Sequence, residues 1–384
     1  MAHIRYAPVF YQILIFTGAI GIYFSFPFSN TNREHRLPIW PMIAWISALI
    51  LLSLLRMMIG FDPDYAAMAS ILMLSTLTMI ATWLVGIRLH PTSETSNRAT
   101  LVLLLIFATA CCSVIADPYI DIRAMIDPSI IGTYERSRAG GVFLQPNQAA
   151  ISLALLYAVT LPRVGPKIAI ACTATVLLGI FLTFSRSGQI VVTLIIAISL
   201  IRGYLPRATL GLLAGTAALL LTGSFFQNQI VDAFGIDQGS GFMRLTDASR
   251  FYSVDALASD ARASLVDSAL TDFSTAPWAG RGFGYSWKWA DNQFVEAGTH
   301  NIYLRYMLEY GALGALIWPL FLLAAFYMRN QTLDKIWCMG ICICGLIIGL
   351  FSHNIPEQGS ILVVMVAALT LPVPQRSFVE HRAI

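Results

Sequence analysis

The chain has 384 residues, of which 57% are hydrophobic and only 12% charged, against roughly 25% charged in a soluble globular protein. That balance excludes an ordinary water-soluble enzyme and predicts a polytopic membrane protein. A net formal charge of +3, without a Lys/Arg run, gives no argument for a nucleic-acid partner.

Apolar runs long enough to cross a hydrocarbon core of about 30 Å recur from end to end. Strand alternation is absent, so helices must satisfy the backbone, and the expected fold is all-α. About eleven spans are expected, at roughly 8 to 26, 38 to 59, 65 to 86, 99 to 116, 147 to 162, 167 to 184, 188 to 202, 207 to 224, 304 to 328, 336 to 352 and 359 to 373. They form a single integral membrane domain over residues 1 to 384. The first run lacks a small-residue cleavage site after it, so no cleavable signal peptide is expected. Asp62-Pro63-Asp64 is a D-x-D between the second and third spans. A Pro-containing turn is the plainer reading than a metal site.

Two loops are long: 117 to 146 and 225 to 299. Lys and Arg in short loops set orientation. Arg163 with Lys167, Arg202 with Arg207, Arg329 with Lys335 and Arg376 with Arg382 mark the cytoplasmic side. Both long loops then lie on the opposite face, the N-terminus is outside and the C-terminus cytoplasmic. In the second loop, Tyr252, Leu257, Leu265, Ala269 and Phe273 recur at helical spacing, which predicts amphipathic helices on the outer bilayer surface. Pro277-Trp278 and the glycines Gly280, Gly282 and Gly284 end that helical stretch and turn the chain back toward the membrane. The six cysteines, Cys111, Cys112, Cys172, Cys338, Cys342 and Cys344, all fall inside expected spans and read as small core residues rather than disulfides or a metal site.

Ionisable groups are costly in lipid, so those at the ends of spans are the natural suspects for function. Four patches on the outer side stand out. The first, RAGGVFLQPNQAA, contains Arg138 and Asn147; a helix cap is the plainer role for Asn147. The second, TFSRSGQ, contains Arg186, whose plainer role is that of an interface arginine. The third holds Arg262, in SDARASLVDSAL, and Arg281, in PWAGRGFG, either of which reads alone as a solvated loop arginine. The fourth, THNIYLRYMLEYGALG, holds His300, Asn301, Tyr303, Arg305 and Glu309, and a lone loop histidine is more often a surface group than a catalyst. Together they suit an anionic ligand with two phosphates and a proton to move. Guanidinium forks hold phosphate oxygens bidentately, and histidine exchanges a proton near neutral pH. Arginines can stabilise a departing diphosphate where other enzymes use a metal.

The ordered set R-x-G-G-x-F-x-x-P-N, T-x-S-R-x-G, R-x-x-L-x-x-x-A-L with P-x-x-G-x-G-F-G, and H-N-x-Y-L-x-x-x-x-E-x-G-x-x-G resembles the O-antigen ligase and polymerase superfamily over about Arg138 to Gly314. The resemblance implies a GT-C-like, inner-membrane glycosyltransferase whose active site faces the periplasm. It implies transfer of a glycan from undecaprenyl diphosphate to an acceptor hydroxyl, without cofactor, nucleotide sugar or metal, by inverting displacement. His300 would then be the general base, and Arg186 and Arg262 would hold the diphosphate. Arg138, Asn147 and Arg281 would shape the donor side, with Asn301, Tyr303 and Glu309 in support. Relatives have about twelve spans, with both ends cytoplasmic. A ligase reading has a lipid A-core sugar as acceptor, whereas an O-antigen or exopolysaccharide polymerase extends a growing glycan on the carrier. A transporter or flippase is the competing class, disfavoured because the expected spans are almost free of mid-membrane charge.

Overall fold

The structure is a computed structural model that describes residues 40–59, 93–126, 138–215, 261–292, 299–329, 333–352, 355 and 359–370. The expected spans at 8 to 26 and 65 to 86, the Asp62-Pro63-Asp64 turn, and Tyr252 and Leu257 lie outside the described residues. Every regular element among the described residues is helical. In chain order these are α1 (Trp40–Ile59), α2 (Ser93–Ile120), α3 (Ile122–Ile126), α4 (Pro146–Thr160), α5 (Pro166–Thr183), α6 (Arg186–Ile201), α7 (Ala261–Ser274), α8 (Tyr285–Asn292), α9 (Ile302–Tyr310), α10 (Ile317–Tyr327), α11 (Lys335–Phe351) and α12 (Gly359–Thr370). Short 3-10 turns add Gly141–Phe143, Leu161–Arg163 and Ala312–Leu316. Three described helical stretches are long and apolar enough to cross a membrane: Trp40–Met58, Thr100–Ile120 and Pro166–Thr183. Arg186–Ile201, Ala312–Tyr327 and Lys335–Phe351 are apolar but shorter. Leu51, Leu54, Met58, Leu101 and Leu105 point outward on their helices, a pattern suited to lipid contact rather than to water.

The described residues fall into two compact units, one made of 93–215 and the other of 40–59 with 261–370. In the first, α4 is apolar on every side, as a helix surrounded by others must be. Its run from Ala149 to Thr160 is buried without a break. It packs against α2, α5 and α6. Proline at its first position fits a helix start, where the missing N–H is an orphan donor anyway. At the α4–α6 crossing, a Cβ added to Gly188 would stand 2.3 Å from Ala150 Cβ. Small residues therefore let two backbones approach, the means of association available where water supplies no driving force. The Tyr157 and Thr173 hydroxyls, 2.6 Å apart, share a hydrogen bond between α4 and α5.

The expected helix at 99 to 116 runs on to Ile120, so Asp117 and Pro118 sit in its last turn rather than in the loop. A larger difference concerns 304 to 328. In place of one span, α9 stops at Tyr310, Gly311 takes a positive φ of 76°, a 3-10 turn follows, and α10 starts at Ile317. Gly314 meets the Tyr306 carbonyl at a distance that would leave a Cβ only 2.0 Å away. Chain folded back this closely on α9 cannot continue as helix.

In this second unit α1 packs on α10, with Trp45 Nε1 donating to the Ile317 carbonyl at 2.9 Å. The Trp318 indole donates to the Gly345 carbonyl at 2.9 Å and ties α10 to α11. Each indole finds the acceptor a buried Trp needs. None of the six cysteines is in a disulfide, and Cys111, Cys172, Cys338 and Cys344 are buried.

Candidate active site

His300 and Asn301 sit immediately ahead of α9. Asn301 is the N-cap, in extended conformation, and its Oδ1 accepts from the Tyr303 N–H at 2.9 Å and the Leu304 N–H at 3.2 Å. Two of the orphan donors at the helix start are thereby satisfied. Buried Thr299 donates its hydroxyl to the Asn301 carbonyl at 2.8 Å. Between these fixed neighbours His300 adopts φ 51°, the left-handed region. Few non-glycine residues do so, and those that do concentrate at functional sites, where surroundings hold them in place. The polar cap thus sets where α9 begins, and His300 is the half-buried residue held just outside it.

The rest of α9 is anchored by polar groups. The Tyr303 hydroxyl donates to the Leu346 carbonyl on α11 at 2.8 Å. Near the helix end, buried Glu309 accepts from the Ser286 hydroxyl of α8. Arg305 Nε lies 3.9 Å from the same carboxylate, and its guanidinium stacks 5.3 Å from the centre of the Trp287 ring. His300 lies two residues ahead of α9, and Glu309 is seven residues beyond its first, about 10 Å further along the axis at about 1.5 Å per residue. Glu309 therefore braces the helix instead of facing the imidazole. Breaking a buried pair by removing one partner costs about 3–5 kcal/mol, because the other charge is stranded. Glu309→Ala should accordingly lower thermal stability sharply, and Glu309→Ala with Arg305→Met should recover much of it; equal melting of the two proteins would argue against the brace.

The described part of the long second loop, α7, packs one face on protein. Ala269 is buried with Trp289, Ala290, Leu304 and Leu308, and Leu265, Val266 and Phe273 pack against them. The turn after α7 then seals the carbonyl end of α9. The Arg281 N–H donates to the Leu308 carbonyl at 2.8 Å, Gly282 N–H to the Glu309 carbonyl at 3.3 Å, and Ala312 N–H to the Pro277 carbonyl at 2.7 Å. Gly280 makes the approach feasible. Its φ is 66°, and a Cβ there would stand 2.5 Å from Gly311 N.

The Arg281 side chain is engaged locally. Its Nη2 donates to Asp272 Oδ1 at 3.1 Å and to Thr275 Oγ1 at 2.6 Å, and its guanidinium lies 5.6 Å from the centre of the Tyr285 ring. Burial, then the hydrogen bond and charge of Asp272, push the Tyr285 phenol up, against the opposing pull of Arg281. Arg281 is thus a clamp between α7 and α8. Arg262 is the second residue of α7, and only its backbone is described.

In the other unit, Arg186 is the first residue of α6. Phe184 takes a left-handed φ of 51°, and Ser185 caps the helix through Gly188 N–H at 3.4 Å. The Ser185 and Ser187 hydroxyls lie 3.1 Å apart. Arg138 reaches this turn: its Nε donates to the Thr183 carbonyl at 3.1 Å and its Nη2 to Asn147 Oδ1 at 2.9 Å. The cap expected of Asn147 is not made, because Gln145 occupies the N-cap position and Pro146 the first helical one, which puts Asn147 two residues too far in. Its side-chain oxygen serves Arg138 instead.

The structure thus collects Arg138, Asn147 and Arg186 around the start of α6, and His300, Asn301, Tyr303, Arg281 and Glu309 around α9. Sequence reasoning missed Ser286 and Trp287, which hold the Glu309 and Arg305 side chains. It also missed the buried pair Asp117 and Arg123, whose Nε and Oδ2 are 2.8 Å apart. The available signal was an Asp-Pro step closing an apolar run.

One comparison bears on what this arrangement does. Residues 171–318 match the O-antigen ligase family. The O-antigen ligase match takes in Arg186, Arg262, Arg281, His300, Asn301, Tyr303 and Glu309, whereas Arg138 and Asn147 precede it. It supports the resemblance to the O-antigen ligase and polymerase superfamily, and with it a membrane glycosyltransferase-like enzyme acting on glycan or lipid-linked substrates. No curated protein matches the chain.

Proposed function

We propose that this protein is an O-antigen ligase-like glycosyltransferase that moves a glycan from undecaprenyl diphosphate to a hydroxyl of a lipid A-core sugar at the periplasmic face of the inner membrane. The observation that carries this reading is His300, held at φ 51° ahead of a helix capped by Asn301, within the stretch that matches the O-antigen ligase family.

In this reading His300 is the general base. It takes the proton of the acceptor hydroxyl as that oxygen attacks the anomeric carbon, and the carbon–oxygen bond to the diphosphate breaks on the opposite face, with inversion. Negative charge grows on the departing diphosphate. Arg186 and Arg262 hold it, since guanidinium groups meet phosphate oxygens in pairs and remain charged throughout. Asn301 and Glu309 act through α9: one fixes its start, the other braces its end.

A deletion strain examined on a glycan gel tests the reading. Loss of all capped lipopolysaccharide, with polymer accumulating on the carrier, is the expected outcome. A core bearing a single repeat unit would assign a polymerase instead, and a lipid-linked glycan that never reaches the periplasm would assign a transporter.

A further inference from the structure

We propose that Asp117 is a positioning residue for Arg186, acting through a backbone strap formed by residues 138–140. The inference rests on the reading of Arg186 as a diphosphate-holding group. Asp117 lies in the last turn of α2 with its side chain wholly buried, and the Arg123 side chain beside it is only 6% exposed. Oδ1 of Asp117 accepts from the Arg123 backbone N–H at 3.2 Å, and Oδ2 accepts from the Gly140 N–H at 2.9 Å. Arg123 Nε lies 2.8 Å from Oδ2, but its N–H is not aligned on that oxygen, so this contact is ionic. One carboxylate therefore joins the end of α2, the start of α3 and the Gly140 backbone.

From Gly140 the chain passes directly to the other end of the strap. The Ala139 N–H donates to the Leu182 carbonyl at 3.0 Å, and Arg138 donates to the Thr183 carbonyl and to Asn147. Leu182 and Thr183 are the last residues of α5. They are followed by the left-handed Phe184, the capping Ser185 and then Arg186. The carbonyls that α5 leaves unpaired at its end are thus taken by the strap, and the place of the α5–α6 turn is set by where the strap is held.

Glycines keep the strap tight. A Cβ on Gly140 would stand 2.7 Å from the Leu144 carbonyl oxygen and 2.9 Å from Arg123 Cδ. Gly141, at φ 54°, lies over Ser113, a Cβ there falling 2.8 Å from its carbonyl carbon. The Ser113 hydroxyl accepts from the Val142 N–H at 3.4 Å. The segment is thus pinned on α2 at Asp117 and Ser113, and on α5 at Leu182 and Thr183. Asp117 makes no contact with Arg186 in this scheme. It decides where the backbone that carries Arg186 turns.

The test measures binding of a glycan-free polyprenyl diphosphate to the full-length protein in detergent. Asp117→Asn should raise Kd by about tenfold, the factor that corresponds to about 1.4 kcal/mol. Placed on Arg186→Ala, the same change should add less than about twofold, because residues acting through one group are not additive. The double replacement Asp117→Leu with Arg123→Met removes both charges, so no lone ion is stranded should Asp117→Asn fail to fold. It should weaken binding to the same degree and be equally silent on Arg186→Ala. Independent, multiplying losses in either series, or an unchanged Kd in a folded single variant, would overturn the inference while leaving the function standing. No binding by the unmodified protein, or none lost in Arg186→Ala, would overturn both.

Discussion

Transfer by the His300→Ala protein is expected to fall by about 10² to 10⁴-fold, the range that a positioned general base supplies, while the protein still inserts and folds. The cap geometry is what separates these outcomes. Asn301, not His300, closes the start of α9 through the Tyr303 and Leu304 amides, so removing the imidazole leaves the helix signal in place. Backbone strain provides a control. His300 has φ 51°, a conformation glycine adopts freely, and relieving such a site stabilises by about 1 kcal/mol. His300→Gly should therefore be as inactive as His300→Ala and somewhat more stable. Steady-state transfer and thermal melting of the two proteins check this together. A glycine variant with full activity would sink the role of His300.

Arg186→Ala should cost about 10² to 10³-fold in kcat/KM, the loss seen when one preorganised donor to a developing negative charge is removed. Folding should survive, since Ser185 caps α6 from its own side chain and the α4–α6 contact rests on Gly188 and Ala150. Arg186→Lys distinguishes a planar fork from a point charge. Lysine keeps the charge but loses bidentate geometry, so an intermediate rate is expected, with a donor KM that rises steeply with salt. If lysine restored full transfer, the fork would have no part in holding the diphosphate.

The helices α4, α5 and α6 were legible because their apolar runs are bounded by strong punctuation: Pro146, Pro166 and the Ser185 cap. The run at 304 to 328 misled for a physical reason. Hydropathy averages over Gly311 and Gly314, whereas the backbone follows the positive φ and the close approach they permit. A Gly-x-x-Gly inside an apolar run was the available warning. Among the site residues, the His300-Asn301 pair stood out through its place at a polar-to-apolar boundary, whereas the cap was expected at Asn147 and is made at Asn301. The tie from Arg138 to the Thr183 carbonyl spans 45 positions, and no local pattern encodes it. The Arg281 clamp was equally invisible, since its partners Asp272 and Thr275 gain meaning only once α7 and its turn exist.

The seam between residues 277–282 and the end of α9 is made of main-chain hydrogen bonds. A junction built that way is indifferent to most side chains it carries and unforgiving of insertions. Trp278 presents its carbonyl to Gly311 while the residue stands 82% exposed. It is consequently a position where a cysteine-linked fluorophore can ride on a fixed backbone, reporting from beside the end of α9 without loosening it.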